Sequence, residues 1–209
     1  MRTSPTIETL GVFAVVFALQ QTLTLVDAGL SFALFVLSAP LDVRPWTVVT
    51  SVYAHTGWQH LLSNSIALAL VGFALERRTT RWRFHTFFIV TGAIAGIFQV
   101  VFNRLLLQLG LVEHQALVLG ASGAVFALFG YVIAGNRLTG GLLDRIGLDP
   151  RWQALLFGVA AVLVTLATAA PGIALVAHFV GVLLGFAAGR MNLLRPTDPE
   201  PDTPPMPEY

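Results

Sequence analysis

The residues in this chain whose types and spacing could do chemistry sit in three short stretches. "VLGASGAVFALFG" (118–130) puts Ser122 at the head of an apolar run. "HTGWQHLLSNSIAL" carries His55, His60 and Asn64, and "ALVAHFVGVLLGF" carries His178. A hydroxyl beside an imidazole is the minimum for nucleophilic catalysis: the ring takes the proton as oxygen attacks and returns it to the leaving amine. No carboxylate is placed to complete a triad. Glu76 falls at the far end of its segment, and Asp27, Asp42 and Glu113 fall in connections. The expected machinery is therefore a dyad of Ser122 and His178, with the ring oriented by packing on Phe126. A tetrahedral intermediate also needs donors for its oxyanion. The Ser122 backbone N–H at a helix N-terminus, the Asn64 amide and the His60 ring are the candidates.

Each stretch taken alone has a plainer reading. "GASGA" reads first as a contact where small residues let two helices touch, and it lacks the G-x-S-x-G spacing of the soluble hydrolase elbow. A lone His178 reads as a hydrogen-bonded core histidine, and His60 with Asn64 as a polar clasp between helices. A metal site is the sharper rival for three histidines. However, "HLLSN" has neither the H-E-x-x-H arrangement nor a nearby carboxylate, and asparagine is a poor zinc ligand. Neither a metal nor a cofactor is expected.

The elements that must position these residues are membrane spans. Of the 209 residues, 56% are hydrophobic and 11% charged, against about 25% charged in soluble domains. The apolar residues fall in long runs that leave no face for water, which places the chain in a lipid bilayer. The absence of cysteine excludes disulfides and thiolate metal sites. A net charge of +1 offers no basic surface for nucleic acid. At about 20 apolar residues per crossing, six spans are expected, at 8–26, 58–75, 84–106, 120–136, 153–170 and 173–190. The first is read as a retained helix rather than a cleaved signal, because no small-residue cleavage site follows it. The connection 27–57 is only half polar. Its "LSFALFVLSAP" suggests a short helix at or in the interface, ended by Pro40 and Pro45. Pro171-Gly172 marks a tight turn. Residues 1–195 form the membrane domain, and the acidic, proline-rich 196–209 a disordered tail.

With six spans, the N-terminus, loops 76–83 and 137–151, and the C-terminus share one side. That side holds Arg2, Arg77, Arg78, Arg81, Arg83, Arg137, Arg145, Arg151, Arg190 and Arg195, while only Arg44 and Arg104 fall opposite. The positive-inside rule puts both termini in the cytoplasm, as for a multi-pass protein of the plasma (cytoplasmic) membrane. The arginines of 77–83 fix topology rather than hold a ligand. His60, Asn64, Ser122 and His178 then all lie in the first two turns of spans two, four and six, at one depth near the outer face. Random placement would not give that. Intramembrane polar groups also mark transport paths, but no inverted repeat or mid-depth helix break is visible. His60 and Asn64, four apart, share a helix face, as do Ser122 and Phe126. His55 is rotated well away from His60 and faces the loop or water, where with Thr56, Gln59 and Ser63 it helps hydrate the site. Gly181 and Gly185 allow close approach by a neighbour. The fourth span, with Gly120, Gly123 and Ala127, is the fitting partner and would bring His178 to Ser122.

In this combination the chain resembles the rhomboid family of intramembrane serine proteases. "HTGWQHLLSN" resembles the family's second-helix motif, "GASGAVFALFGY" its G-x-S-G nucleophile segment, and "AHFVGVLLG" its A-H-x-x-G-x-x-x-G sixth helix. Glu76 falls where members often carry an acidic residue, and "RPWTVVTSVYAH" resembles the lead into helix two. The resemblance implies an all-α, compact six-transmembrane-helix bundle with a membrane-embedded first loop at 27–57. It implies Ser122 as nucleophile, His178 as general base, and His60, Asn64 and the Ser122 amide as the oxyanion hole. Transmembrane protein substrates, cut near the outer face, are the implied partners. Two departures stand out. The family's tryptophan-arginine pair reads Trp46-Thr47, so that either a loop-stabilising contact is missing or Arg44 replaces it, and Phe126 stands where tyrosine is frequent. Span five, without an ionisable group after Arg151, suits either a passive span or one that moves aside for substrate. The rival reading is a catalytically inactive rhomboid-like protein that binds transmembrane helices.

Overall fold

The structure, a computed structural model, describes residues 3–135, 149–168 and 174–195. Among these residues the chain is all-α, with one isolated antiparallel bridge and no strand. The helices are α1 (Pro5–Val26), α2 (Ala28–Phe35), α3 (Thr47–Thr50), α4 (Trp58–Glu76), α5 (Arg81–Gln108), α6 (Ser122–Ala134), α7 (Pro150–Ala167) and α8 (Leu175–Arg190). The six expected spans fall on α1, α4, α5, α6, α7 and α8. By length and composition, α1, α4 and α5 suffice to cross a membrane, while α6, α7 and α8 are shorter apolar helices. The Pro171-Gly172 turn, Arg2, Arg137, Arg145 and the tail 196–209 lie outside the described residues.

Helix ends differ from the expected ones where capping extends a helix beyond its apolar run. The Ser4 hydroxyl accepts the Ile7 N–H and Pro5 opens α1, so the helix starts earlier than residue 8. Thr80 caps α5 in the same way, accepting from Arg83 N–H. Asp27 ends α1 and caps α2 through the Leu30 N–H, which makes the turn between them abrupt.

One end of the bundle gathers the N-termini of α1 and α5 with the C-termini of α4, α6 and α8. The Glu76 carboxylate accepts from Ser4 Oγ at 2.6 Å and from Thr6 N–H at 3.3 Å, an anion at the positive end of α1. Glu8 pairs with Arg81 and with His85, each at 2.8 Å. Arg83 donates to the carbonyls of Leu193 and Arg195 beyond α8, and Arg195 to that of Gly135 beyond α6. Arg81 and Arg83 thus also tie helices together, beyond the topological role expected of them.

The most intimate pair is α6 with α8, and α5 packs on both. A Cβ on Gly181 would run into the Gly123 carbonyl, and one on Gly185 into the Ala127 carbonyl. Further along, a Cβ on Gly130 would stand 2.5 Å from the Val182 carbonyl oxygen. The two backbones therefore touch over several turns, as small residues at these spacings permit. The largest core cluster lies beside them, where Phe13 and Phe17 of α1 join Leu68 of α4, Phe84 and Phe88 of α5 and Leu128 of α6. By contrast, α7 packs on α8 along a narrow seam. Its buried side chains, Gln153, Phe157, Ala161 and Thr165, recur every fourth residue, while Leu155, Val159, Leu163 and Leu166 are exposed.

Connection 27–57 is fastened by its own polar groups. The Arg44 guanidinium donates to Ser38 Oγ at 2.7 Å and lies 4.7 Å over the Phe32 ring. Trp46 Nε1 donates to the Ala33 carbonyl at 2.9 Å, and buried Thr47 donates to the Arg44 carbonyl at 2.6 Å. Arg44 therefore supplies the guanidinium of this segment, and Thr47 is bonded to it rather than idle.

Candidate active site

Ser122 is the first residue of α6, and the strand-like lead into it is pinned from several sides. The Ala116 N–H donates to Asn103 Oδ1 at 2.5 Å. Leu37 and Val118 exchange two backbone hydrogen bonds of 2.9 Å, and the Gly120 N–H donates to the Ser51 carbonyl at 2.8 Å. Connection 27–57 is thus the scaffold on which the serine is presented. Gly120 has φ +129°, a conformation that suits glycine. A Cβ there would stand 2.5 Å from His60 Cε1 and 2.7 Å from Nε2. Gly120 therefore belongs to the contact with α4 and not to the α6–α8 interface expected for it. Its missing side chain is what seats the His60 ring beside the approach to Ser122.

His178 arrives on the first turn of α8 through the glycine contact. A Cβ on Gly123 would lie 3.5 Å from the Ala177 carbonyl oxygen, so the residues adjoining Ser122 and His178 are packed together. The His178 ring is buried and tilted over Phe126, with centroids 4.4 Å apart. Phe126 is one turn beyond Ser122 on the same face of α6. On its other flank, His178 Nδ1 lies 3.2 Å from Thr168 Oγ1 at the end of α7.

The donors are unevenly committed. Ala121 offers no side chain to cap α6, and the first N–H groups of a helix have no partner within it. Ser122, Gly120 and Gly123 instead line a cavity of ≈ 20 Å³ shared with Gly92, Gly96 and Ala177, room for about one water. Asn64 is buried, and its Nδ2 donates to the His60 carbonyl at 3.0 Å, leaving one amide hydrogen for another acceptor. His60 Nδ1 lies 3.1 Å from Thr56 Oγ1, which leaves Nε2 for the Gly120 side.

His55 is placed differently from expectation. It is fully buried rather than turned to the loop or water. Its ring sits edge-on between Phe13, at 4.9 Å, and His60, at 5.2 Å. Its backbone N–H donates to Gln20 Oε1 at 3.1 Å, tying the start of α4 to α1. The five-residue offset to His60 misled because Gly57 begins the helix only after His55; helical rotation does not apply across that boundary. Thr56, Gln59 and Ser63 are exposed.

Gln99, Thr168, Asn103 and the Leu37–Val118 bridge make contacts around the site that motif spacing did not signal. Gln99 on α5 accepts the Val176 and Ala177 N–H groups at 3.0 and 3.2 Å, capping α8 just ahead of His178. Gln99→Leu is therefore expected to cost about 1–2 kcal/mol by leaving both donors unpaired, while Gln99→Glu, which keeps the acceptor, stays closer to wild type. Unfolding in mild detergent reads this, and equal stability of the leucine variant and wild type would remove Gln99 from the account. Among the described residues, no group of three or more His, Cys, Asp or Glu is gathered as a metal would require.

Comparison with known sequences adds to this geometry. A sequence model of the Rhomboid domain matches residues 42–195. RHOMBOID-like protein 7 of Arabidopsis thaliana is 28% identical over 72% of this chain and 44% of its own length. A putative rhomboid protease, YdcA of Bacillus subtilis, is 34% identical over 46% of this chain and 45% of its own. Rhomboid protease GluP of the same organism is 33% identical over 44% of this chain and 17% of its own. The chain matches less than half the length of each of these relatives.

Proposed function

Because the chain belongs to the rhomboid family of membrane proteins, we propose that it is an intramembrane serine endopeptidase working by a Ser122–His178 dyad. The observation that carries this reading is the seating of the His178 ring on Phe126, one turn beyond Ser122, by the contact of Gly181 with the Gly123 carbonyl. Ser122 Oγ attacks the scissile carbonyl carbon while its proton passes to His178 Nε2. As the C–N bond breaks, that proton goes to the leaving amine. Water then repeats the sequence on the acyl-enzyme and frees Ser122. The uncapped Ser122 N–H, the free hydrogen of the Asn64 amide and the His60 ring are the donors for the oxyanion.

The substrate in this reading is a transmembrane segment of another protein. Six crossings with both termini in the cytoplasm put the arginine-rich end of the bundle inside and the dyad toward the outer face. At 13 residues, α6 rises about 20 Å against a hydrocarbon core of about 30 Å. Ser122 then lies inside the outer boundary, shallow enough for water to reach. A helical peptide bond is shielded by its own turn, so segments with Gly, Ala, Ser or Pro near that face unwind and enter most readily.

The second reading, a rhomboid-like protein that binds transmembrane helices without cutting them, draws on the plant relative's name. Purified protein in liposomes with a transmembrane peptide bearing Gly and Ala near one end separates the two. Cleavage, together with fluorophosphonate labelling, is expected in wild type and lost in Ser122→Ala. Cleavage that survives Ser122→Ala would refute the dyad, and binding without cleavage in wild type would favour the second reading.

A further inference from the structure

A dyad lacks the carboxylate that fixes the imidazole in a triad, and packing on Phe126 constrains only the ring plane. The end of α7 supplies a polar partner. Thr168 caps that helix, and the buried seam of Phe157, Ala161 and Thr165 runs on toward it along the face that meets α8. Its hydroxyl oxygen lies 3.2 Å from His178 Nδ1, 3.0 Å from the Val164 carbonyl oxygen and 3.1 Å from that of Thr165.

A hydroxyl has one hydrogen and two lone pairs, whereas a carbonyl only accepts. Both carbonyls belong to the last turn of α7, where the helix gathers partial negative charge. The hydrogen is drawn to the carbonyl side, which turns the lone pairs toward Nδ1. Nδ1 then carries the ring's hydrogen, and the free lone pair is left on Nε2, the nitrogen that must face the serine.

We propose that Thr168 is a positioning residue that holds His178 in its Nδ1–H tautomer and, with the C-terminal end of α7, supports the imidazolium formed during attack. The proposal rests on the serine-endopeptidase reading for its catalytic consequence but not for the hydrogen bond itself. During attack the Ser122 proton moves to Nε2, Nδ1–H stays on the Thr168 oxygen, and the charge on the ring is shared with a hydroxyl already polarised by the helix end. Phe126 has no hydroxyl with which to do this, so the task falls to the neighbouring helix. It also makes the base dependent on α7 being docked against α8.

The test uses the full chain in liposomes and a fluorophosphonate as probe, with Ser122→Ala as the blank. Thr168→Val keeps the shape and removes the acceptor, whereas Thr168→Ser keeps the hydroxyl. Labelling is expected to slow about tenfold to a hundredfold in Thr168→Val and to return close to wild type in Thr168→Ser, with thermal unfolding of both near wild type. With a cleavable transmembrane peptide, the loss falls on kcat rather than KM. In parallel, 15N spectra of histidine-labelled protein, assigned through His178→Ala, should show His178 protonated at Nδ1, and a mixture of tautomers in Thr168→Val. Labelling of Thr168→Val at the wild-type rate, or a wild-type ring protonated at Nε2 instead, overturns the proposal. Wild type that takes no label defeats the protease reading instead, and the 15N spectra still decide the tautomer.

Discussion

Cleavage of a transmembrane peptide by the His178→Ala protein is expected to run about 10⁴-fold slower than wild type, with KM little changed. A serine hydroxyl is a weak nucleophile at neutral pH, and among the described residues no carboxylate stands by as a second base. The carboxylates of Glu8 and Glu76 are held at the opposite end of the bundle by Arg81, His85 and Ser4. His60 is near the approach to Ser122, but its ring is seated against Gly120 and Thr56. In the proposed dyad serine and base act as one unit, so the double variant Ser122→Ala, His178→Ala should be no slower than either single one. The substitution removes a proton acceptor and no binding group, which is why KM is expected to stay put. Turnover of His178→Ala within about tenfold of wild type would mean that another group takes the proton, and the assignment of the base would fall.

The second large effect is expected from Gly185→Val. A Cβ at this position would overlap the Ala127 carbonyl and approach the Tyr131 nitrogen to 2.8 Å. Both obstacles are backbone, so no rotamer change relieves them and α6 and α8 must part. Overpacking of this kind costs about 3 kcal/mol or more. Separation by even about 1 Å at the site lowers turnover about a hundredfold. Loss of thermal stability and of fluorophosphonate labelling together are the expected result. A control at Gly158 on α7, where a Cβ meets nothing within 4 Å, should leave both near wild type as Gly158→Ala. A Gly185→Val protein as stable and active as wild type would show that the close α6–α8 contact is dispensable.

Much of this molecule is written in local sequence. The apolar runs fall on α1, α4, α5, α6, α7 and α8 because side chains suited to hydrocarbon must be apolar along a whole run. The Gly181 and Gly185 spacing identifies the face of α8 that meets α6, because only residues without bulk let backbones touch. Ser122 and His178 stand out as polar groups at the matching ends of apolar helices. Family membership follows from the same motifs in order, and the Rhomboid match over residues 42–195 bears it out.

The tertiary structure decided what periodicity cannot carry. His55 is buried between Phe13 and His60 because its side chain points where the turn at Gly57 sends it, not where a helix wheel would. Gly120 serves His60 and not α8, since it precedes the helix whose spacing it shares. Gln99 and Thr168, unremarkable in a sequence with many polar residues near helix ends, become specific only when α5 and α7 bring them to the first turn of α8. A hydrogen bond depends on position to a few tenths of an ångström between residues far apart in the chain. Spacing along one helix constrains which side chains share a face, but the partner across the gap is chosen by how helices pack.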